Sequence, residues 1–203
     1  MSCTILNTAY FPNIQYLSKF LFSNDILIEV NDTYAKQTYR NRCNIYSANG
    51  TLPLTVPVVK NLHTPVKDIL IDYSENWQKN HFRSILSAYK NSAFYEFYFP
   101  EFEVFFTKKE KYLIDLNVKI LDKLLESYGI AKEYNLTEDF IKAPNCIDHR
   151  DKIHPKASKH ILDADFVPIE YYQVFSDKFG FIPNLSSIDL LFNEGPMALQ
   201  KIV

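Results

Sequence analysis

Glycine stands at four positions of this 203-residue chain, Gly50, Gly129, Gly180 and Gly195, and no two are closer than fifteen residues. An ordinary chain of this length carries roughly three times as many, at about 7% of residues. A loop that cradles phosphate on main-chain N–H groups needs clustered glycines. The backbone there must turn tightly and approach the ligand with no Cβ in the way. The P-loop, the dinucleotide fingerprint and the glycine-rich kinase loop are therefore excluded. No period recurs, so repeat and low-complexity architectures go too. A chain this long can bury a real core as one domain. Any anionic ligand has to be held by side-chain forks rather than by glycine-lined backbone.

Charge narrows the partners. With 22 Lys and Arg against 24 Asp and Glu, the formal net charge is -2. That balance does not point to nucleic acid or a polybasic membrane surface. A small-molecule substrate is the expected partner, with a homo-oligomer left open. Only four of the basic residues are Arg (Arg40, Arg42, Arg83 and Arg150), in a chain rich in Lys, Asn, Ile, Tyr and Phe. That bias resembles an AT-rich genome, and an Arg retained against it is a better lead than a Lys. The start, Met-Ser-Cys-Thr-Ile-Leu-Asn, has no basic region and no long apolar run. Nowhere do 18 uncharged apolar residues follow one another, so no membrane span is expected. Cys3, Cys43 and Cys146 suggest no disulfide framework. The expectation is a cytoplasmic protein with three free thiols and no cofactor.

The order of patterns predicts an α/β fold, with mixed α+β open, in a single compact domain over residues 1–203. Strands are expected at 3–6 and 25–30, with a short amphipathic helix at 14–22 between them. Asn49-Gly50 between two alternating runs predicts a type I′ hairpin over 42–58. A third strand is expected at 66–71 and a helix from Asn76 carrying Trp77, His81, Ile85, Leu86 and Tyr89 on one face. The aromatic run at 94–106 is expected in the core or at an interface. A long helix spans 109–128 and ends at Gly129 in the C′ position. Residues 142–168 form a long basic loop, 170–175 a strand, and 188–192 a last helix.

Three constellations carry candidate chemistry. Lys36, Tyr39, Arg40 and Arg42 precede the hairpin, and arginines at alternate positions of an extended segment project two guanidinium forks to one side. The structural alternative is a surface strand paired with Glu29, Asp32 or Glu103. Cys146, His149, His154 and His160 have spacings compatible with tetrahedral zinc, but Arg150, Lys152, Lys156 and Lys159 crowd them and would repel a dication. No metal is therefore assigned. Arg150, His154 and Lys156 read instead as an anion-binding loop, or as a basic loop with no ligand. Trp77 and His81 lie one helical turn apart. His81 is the candidate general base, against a packed core histidine.

Several strings resemble the WbqC-like family of bacterial proteins. They are Tyr10-Phe11-Pro12-Asn13, Lys36 through Arg42, Leu54-Thr55-Val56-Pro57-Val58, Asn76-Trp77 with His81, and the most specific, Phe181 through Asn193 with Gly195-Pro196. Longer members carry His-Gln-Pro where this chain has Leu6, Asn7 and Thr8, and they have glycine motifs that this short form lacks. The resemblance implies a place in surface-polysaccharide (O-antigen) synthesis and an acyl or aminoacyl transferase acting on a nucleotide-linked amino sugar. Under that reading His81 is the base and Asn13 and Asn184 are oxyanion donors. Lys36, Tyr39, Arg40, Arg42, Trp77, Arg150, His154 and Lys156 hold substrate and phosphates. The alternative is a non-catalytic binding module for an anionic envelope metabolite or a protein partner.

Overall fold

The computed structural model describes residues 3–59, 63–142, 144–156 and 163–202. The first strand, β1 (Cys3–Asn7), feeds helix α1 (Ile14–Phe22), which returns into β2 (Asp25–Glu29). The α1 N-terminus is closed by protein groups. Its first three amides donate to Leu185 O, Asn184 Oδ1 and Asn13 Oδ1 at 3.1, 2.9 and 3.0 Å. Such capping satisfies donors that a helix otherwise leaves open.

β1 pairs in parallel with β2 on one side and with β8 (Ile147–Asp148) on the other, and β2 pairs in parallel with β7 (Asn135–Leu136). The sheet order is β7-β2-β1-β8. The expected long loop at 142–168 thus contains a strand: Ile147 and Asp148 pair with Thr4 and Ile5 at the edge of the sheet. Residues 143 and 157–162 of that loop, His160 among them, lie outside the described residues.

Between β2 and β7 the chain builds a large insertion. The hairpin forms from β3 (Arg42–Ser47) and β4 (Gly50–Thr55), with Ser47 opposite Gly50. Gly50 takes φ 90°, whereas Asn49 is not among the residues with positive φ. The turn is therefore not the type I′ form, which needs positive φ at both central residues. Residues 66–71 are only partly extended, because Pro65 O and Val66 O accept from Asp68 N and Ile69 N in a 3₁₀ turn. Only β6 (Leu70–Ile71) pairs, with β5 (Val58–Val59).

Helix α2 (Trp77–Tyr89) buries Trp77, His81, Ile85 and Tyr89, but Leu86 is 38% exposed. The aromatic run folds into α3 (Tyr95–Phe102), with Pro100 inside it, and α4 (Val104–Thr107). Phe99 and Phe102 pack edge-on against Phe192, and Phe106 stacks on Phe11. The long helix, α5 (Leu113–Ser127), starts four residues later than its pattern predicts. Residues 111–113 are taken up by backbone bonds to the β6 segment, Ile71 N to Lys111 O and Leu113 N to Ile69 O. Gly129 follows at φ 68°.

After β8 come α6 (Ser176–Phe179) and α7 (Ser187–Glu194). The strand expected at 170–175 does not form. Its place is taken by a side-chain ladder, in which the buried Gln173 amide donates to Ile182 O and accepts from Ile182 N, both at 2.9 Å. The cysteine expectation is also corrected: Cys3 and Cys146 form a disulfide, and only Cys43 is free, buried in the core. Sequence separation hid that pairing, since the two cysteines that adjacent strands bring side by side are 143 positions apart. No described helix is long and apolar enough to cross a membrane.

Candidate ligand pocket at the switch point of the sheet

In chain order β1, β2 and β7 step outward in one direction, and β8 then joins on the opposite side of β1. The loops leaving the carboxyl ends of β1 and β8 therefore diverge, which is where open parallel sheets form ligand crevices. A pocket occupies that place. Asn7, Thr8 and Ala9 line it from the β1 end, and His149, Arg150 and Asp151 line it from the β8 end. Asp32, Lys36, Tyr39 and Arg40 close it from the segment after β2. Its volume is about 130 Å³. An apolar cavity of about 150 Å³ admits benzene, so this one seats a single ring or a single phosphate.

Arg40 is the buried centre of the wall, 4% exposed. Its Nη2 donates to Asn7 Oδ1 at 2.8 Å and to Asp32 Oδ2 at 2.7 Å, while its Nε is buried with no partner among the described residues. Burial pulls its pKa below the usual value, against the opposing pull of Asp32 and Asp151. A guanidinium remains charged through such a shift. Asn7 joins the two arginine segments, because its Nδ2 also donates to Arg150 O at 2.6 Å. Behind the wall, Asn117 of α5 ties Thr8 Oγ1 and Arg40 O together.

Arg150 forks onto Asp148 through Nε and Nη2, and its Nη1 reaches Ile141 O at 2.8 Å and the fully buried Glu29 at 3.3 Å. The hydrogen bond to Asp148 raises its pKa. His149 is buried, its Nδ1 has no partner among the described residues, and its main-chain N–H is anchored on Ile5 O. Burial, then neighbouring Lys19, lowers its pKa, so the ring is neutral at pH 7. Lys36 is exposed at the mouth.

Five of the residues singled out by sequence thus meet at one pocket: Lys36, Tyr39, Arg40, Arg150 and His154. The others lie elsewhere. Arg42 does not share a fork with Arg40, because Tyr39–Asn41 form a 3₁₀ turn rather than an extended run, and Arg42 Nε donates to Thr55 Oγ1 at 3.0 Å. His81 is buried on α2 with Nδ1 2.9 Å from the Tyr10 hydroxyl, and Trp77 packs beside it. Burial pushes the His81 pKa down to about 4. Asn13 caps α1, and Asn184, at φ 56°, exchanges two hydrogen bonds with Gln15. Lys156 is exposed and its main-chain N–H donates to His154 Nδ1. With the Cys146 sulfur committed to Cys3, that cysteine is not available to a zinc site, and no metal-holding cluster occurs among the described residues.

Sequence reasoning did not single out Asn7, Asp151 or the pocket role of His149. The usable signal was positional: residues just past the carboxyl end of an apolar strand that leads into a helix, as Asn7 and Thr8 do.

The fold and the pocket define a small parallel α/β protein with a polar, side-chain-lined crevice at its switch point. Residues 8–201 match the WbqC-like protein family, and the chain belongs to that family. It is similar to the uncharacterized protein Rv1507c of Mycobacterium tuberculosis (strain ATCC 25618 / H37Rv), at 25% identity over 225 residues covering 96% of this chain and 94% of the relative. No solved structure matches.

Proposed function

We propose that the switch-point pocket binds the anionic group of a small metabolite through side-chain cations. The convergence of Lys36, Arg40 and Arg150 at the carboxyl ends of β1 and β8 carries this reading. With the N-terminal amides of α1 already capped, an anion here meets guanidinium and ammonium groups, as the scarcity of glycine requires. The family resemblance extends the reading to an acyl or aminoacyl transferase in surface-polysaccharide synthesis. One phosphate of a nucleotide-linked amino sugar would fill the pocket, with the sugar amine outside it. The amine must lose a proton as its nitrogen attacks the acyl carbonyl. His149 and His154, both lining the pocket, suit that base role better than His81, which lies outside it against the Tyr10 hydroxyl. The chain would work as a single cytoplasmic domain.

A second reading, a non-catalytic binding module, draws on a specific observation. Arg40 and Arg150 already hold carboxylate partners in Asp32, Asp148 and Glu29. Incubation with acyl or aminoacyl donors and a nucleotide amino sugar separates the two, read by mass spectrometry of the sugar product. Acylated sugar that disappears in His149→Gln or His154→Gln supports transfer. Binding without any product over a panel of donors supports the module.

A further inference from the structure

Cys3 opens β1 and Cys146 immediately precedes β8, so their disulfide ties the edge strand β8 to its neighbour β1. Besides the disulfide, β8 has a short strand pairing and the polar bonds of the following Arg150, to Asn7, Ile141 and Glu29. It pairs with β1 at two positions only, Thr4 with Ile147 and Ile5 with Asp148, followed by the bond from His149 N to Ile5 O. The next residues, His149, Arg150 and Asp151, form one wall of the pocket. Both cysteines are partly exposed. Cys43 is buried, and burial holds its thiol protonated, so it does not compete in exchange.

We propose that Cys3–Cys146 is a reversible thiol–disulfide site whose state sets how firmly β8 holds the pocket wall. The co-reactant is a low-molecular-weight thiol of the glutathione or dithiol class. Its thiolate attacks one sulfur of the pair and releases the other as a protein thiolate, leaving a mixed disulfide. A second co-reactant thiolate resolves that intermediate, giving two protein thiols and one oxidised co-reactant. The oxidised co-reactant reverses the sequence. Cutting the tie opens a loop of 143 residues and leaves β8 on a two-residue strand pairing and the part-buried polar bonds of Arg150, contacts of the kind that fray locally. The wall next to Asn7 then loses its register while the hairpin and α5 of the insertion keep theirs.

The test has three readouts on the full chain. Alkylation after denaturation without reductant should label one cysteine, and after reduction three; three labels without reduction overturn the proposal. Hydrogen exchange of the backbone amides at 147–151 should quicken at least tenfold on reduction, with those of α5 changing less than twofold. Cys146→Ser should match the reduced protein and ignore reductant. Unchanged exchange at 147–151 overturns the proposal. The third readout, inorganic pyrophosphate affinity by calorimetry, rests on the proposed function. A dissociation constant at least threefold weaker in the reduced protein supports the coupling, and equal constants refute it. No binding in either state overturns the pocket reading, while the exchange result still decides the redox site.

Discussion

Replacing Asn7 by Ala removes the one side chain that ties both arginine segments of the pocket together. Asn7 accepts from Arg40 Nη2 at 2.8 Å and donates to Arg150 O at 2.6 Å. A hydrogen bond from a charged donor contributes about 1.5–3 kcal/mol and a neutral one about 1. Both bonds are only partly buried, so water recovers a share, and a net loss of about 2–3 kcal/mol is expected. For a domain of 150–250 residues that corresponds to a fall in Tm of roughly 4–12 °C. Urea unfolding of Asn7→Ala, Arg40→Met and the double variant measures it. The two substitutions share a contact, so their effects should be non-additive by about 1–2 kcal/mol. A loss under about 0.5 kcal/mol for Asn7→Ala, or strict additivity, would refute the bridging role.

Two buried titrating groups pull stability in opposite directions over the same acid window. Burial raises Asp189 from 3.8 to about 6 despite donors from Tyr171, Tyr89 and Gln173, so its stabilising contribution is complete below pH 3.8 and lost as pH rises through 6. His81 is lowered from 6.5 to about 4, so its contribution is complete above pH 6.5 and lost as pH falls through 4. Each is worth roughly 3 kcal/mol, and in the native chain they offset one another. Urea unfolding of His81→Gln should therefore show stability falling by about 3 kcal/mol from pH 4 to 7, and Asp189→Asn the same amount rising; parallel slopes for both would contradict the burial argument. At Gly195, φ is 53° and an added Cβ would lie 2.5 Å from the Phe94 ring. Gly195→Ala should cost about 1–3 kcal/mol more than Gly129→Ala, whose φ is also positive but whose Cβ meets nothing within 4 Å, as thermal melts would show.

The α/β order was readable because its first three elements carry their own signals. The 14–22 periodicity matches α1 residue for residue, and Gly129 ends α5 as its position implies. What failed was set by partners far along the chain. β8 is two residues inside a polar loop and exists because β1 offers it an edge, and no local pattern marks it. The expected strand near Gln173 failed because one side chain satisfies backbone groups that a strand would have paired. At the pocket, arginine scarcity led to Arg40 and Arg150, but alternation placed Arg42 with them wrongly. A strand repeat was assumed where the Thr38 hydroxyl caps a 3₁₀ turn.

The central claim is that side-chain cations at the switch point hold an anion. Calorimetric titration of a uridine diphosphate sugar into the native chain, Lys36→Gln and Arg42→Ala tests it most directly. Lys36 lines the pocket mouth and is exposed, so its loss should leave the fold intact. The account predicts at least tenfold weaker binding for Lys36→Gln, about 1.4 kcal/mol, and native affinity for Arg42→Ala. Equal weakening by both, or no heat from the native chain, would contradict it.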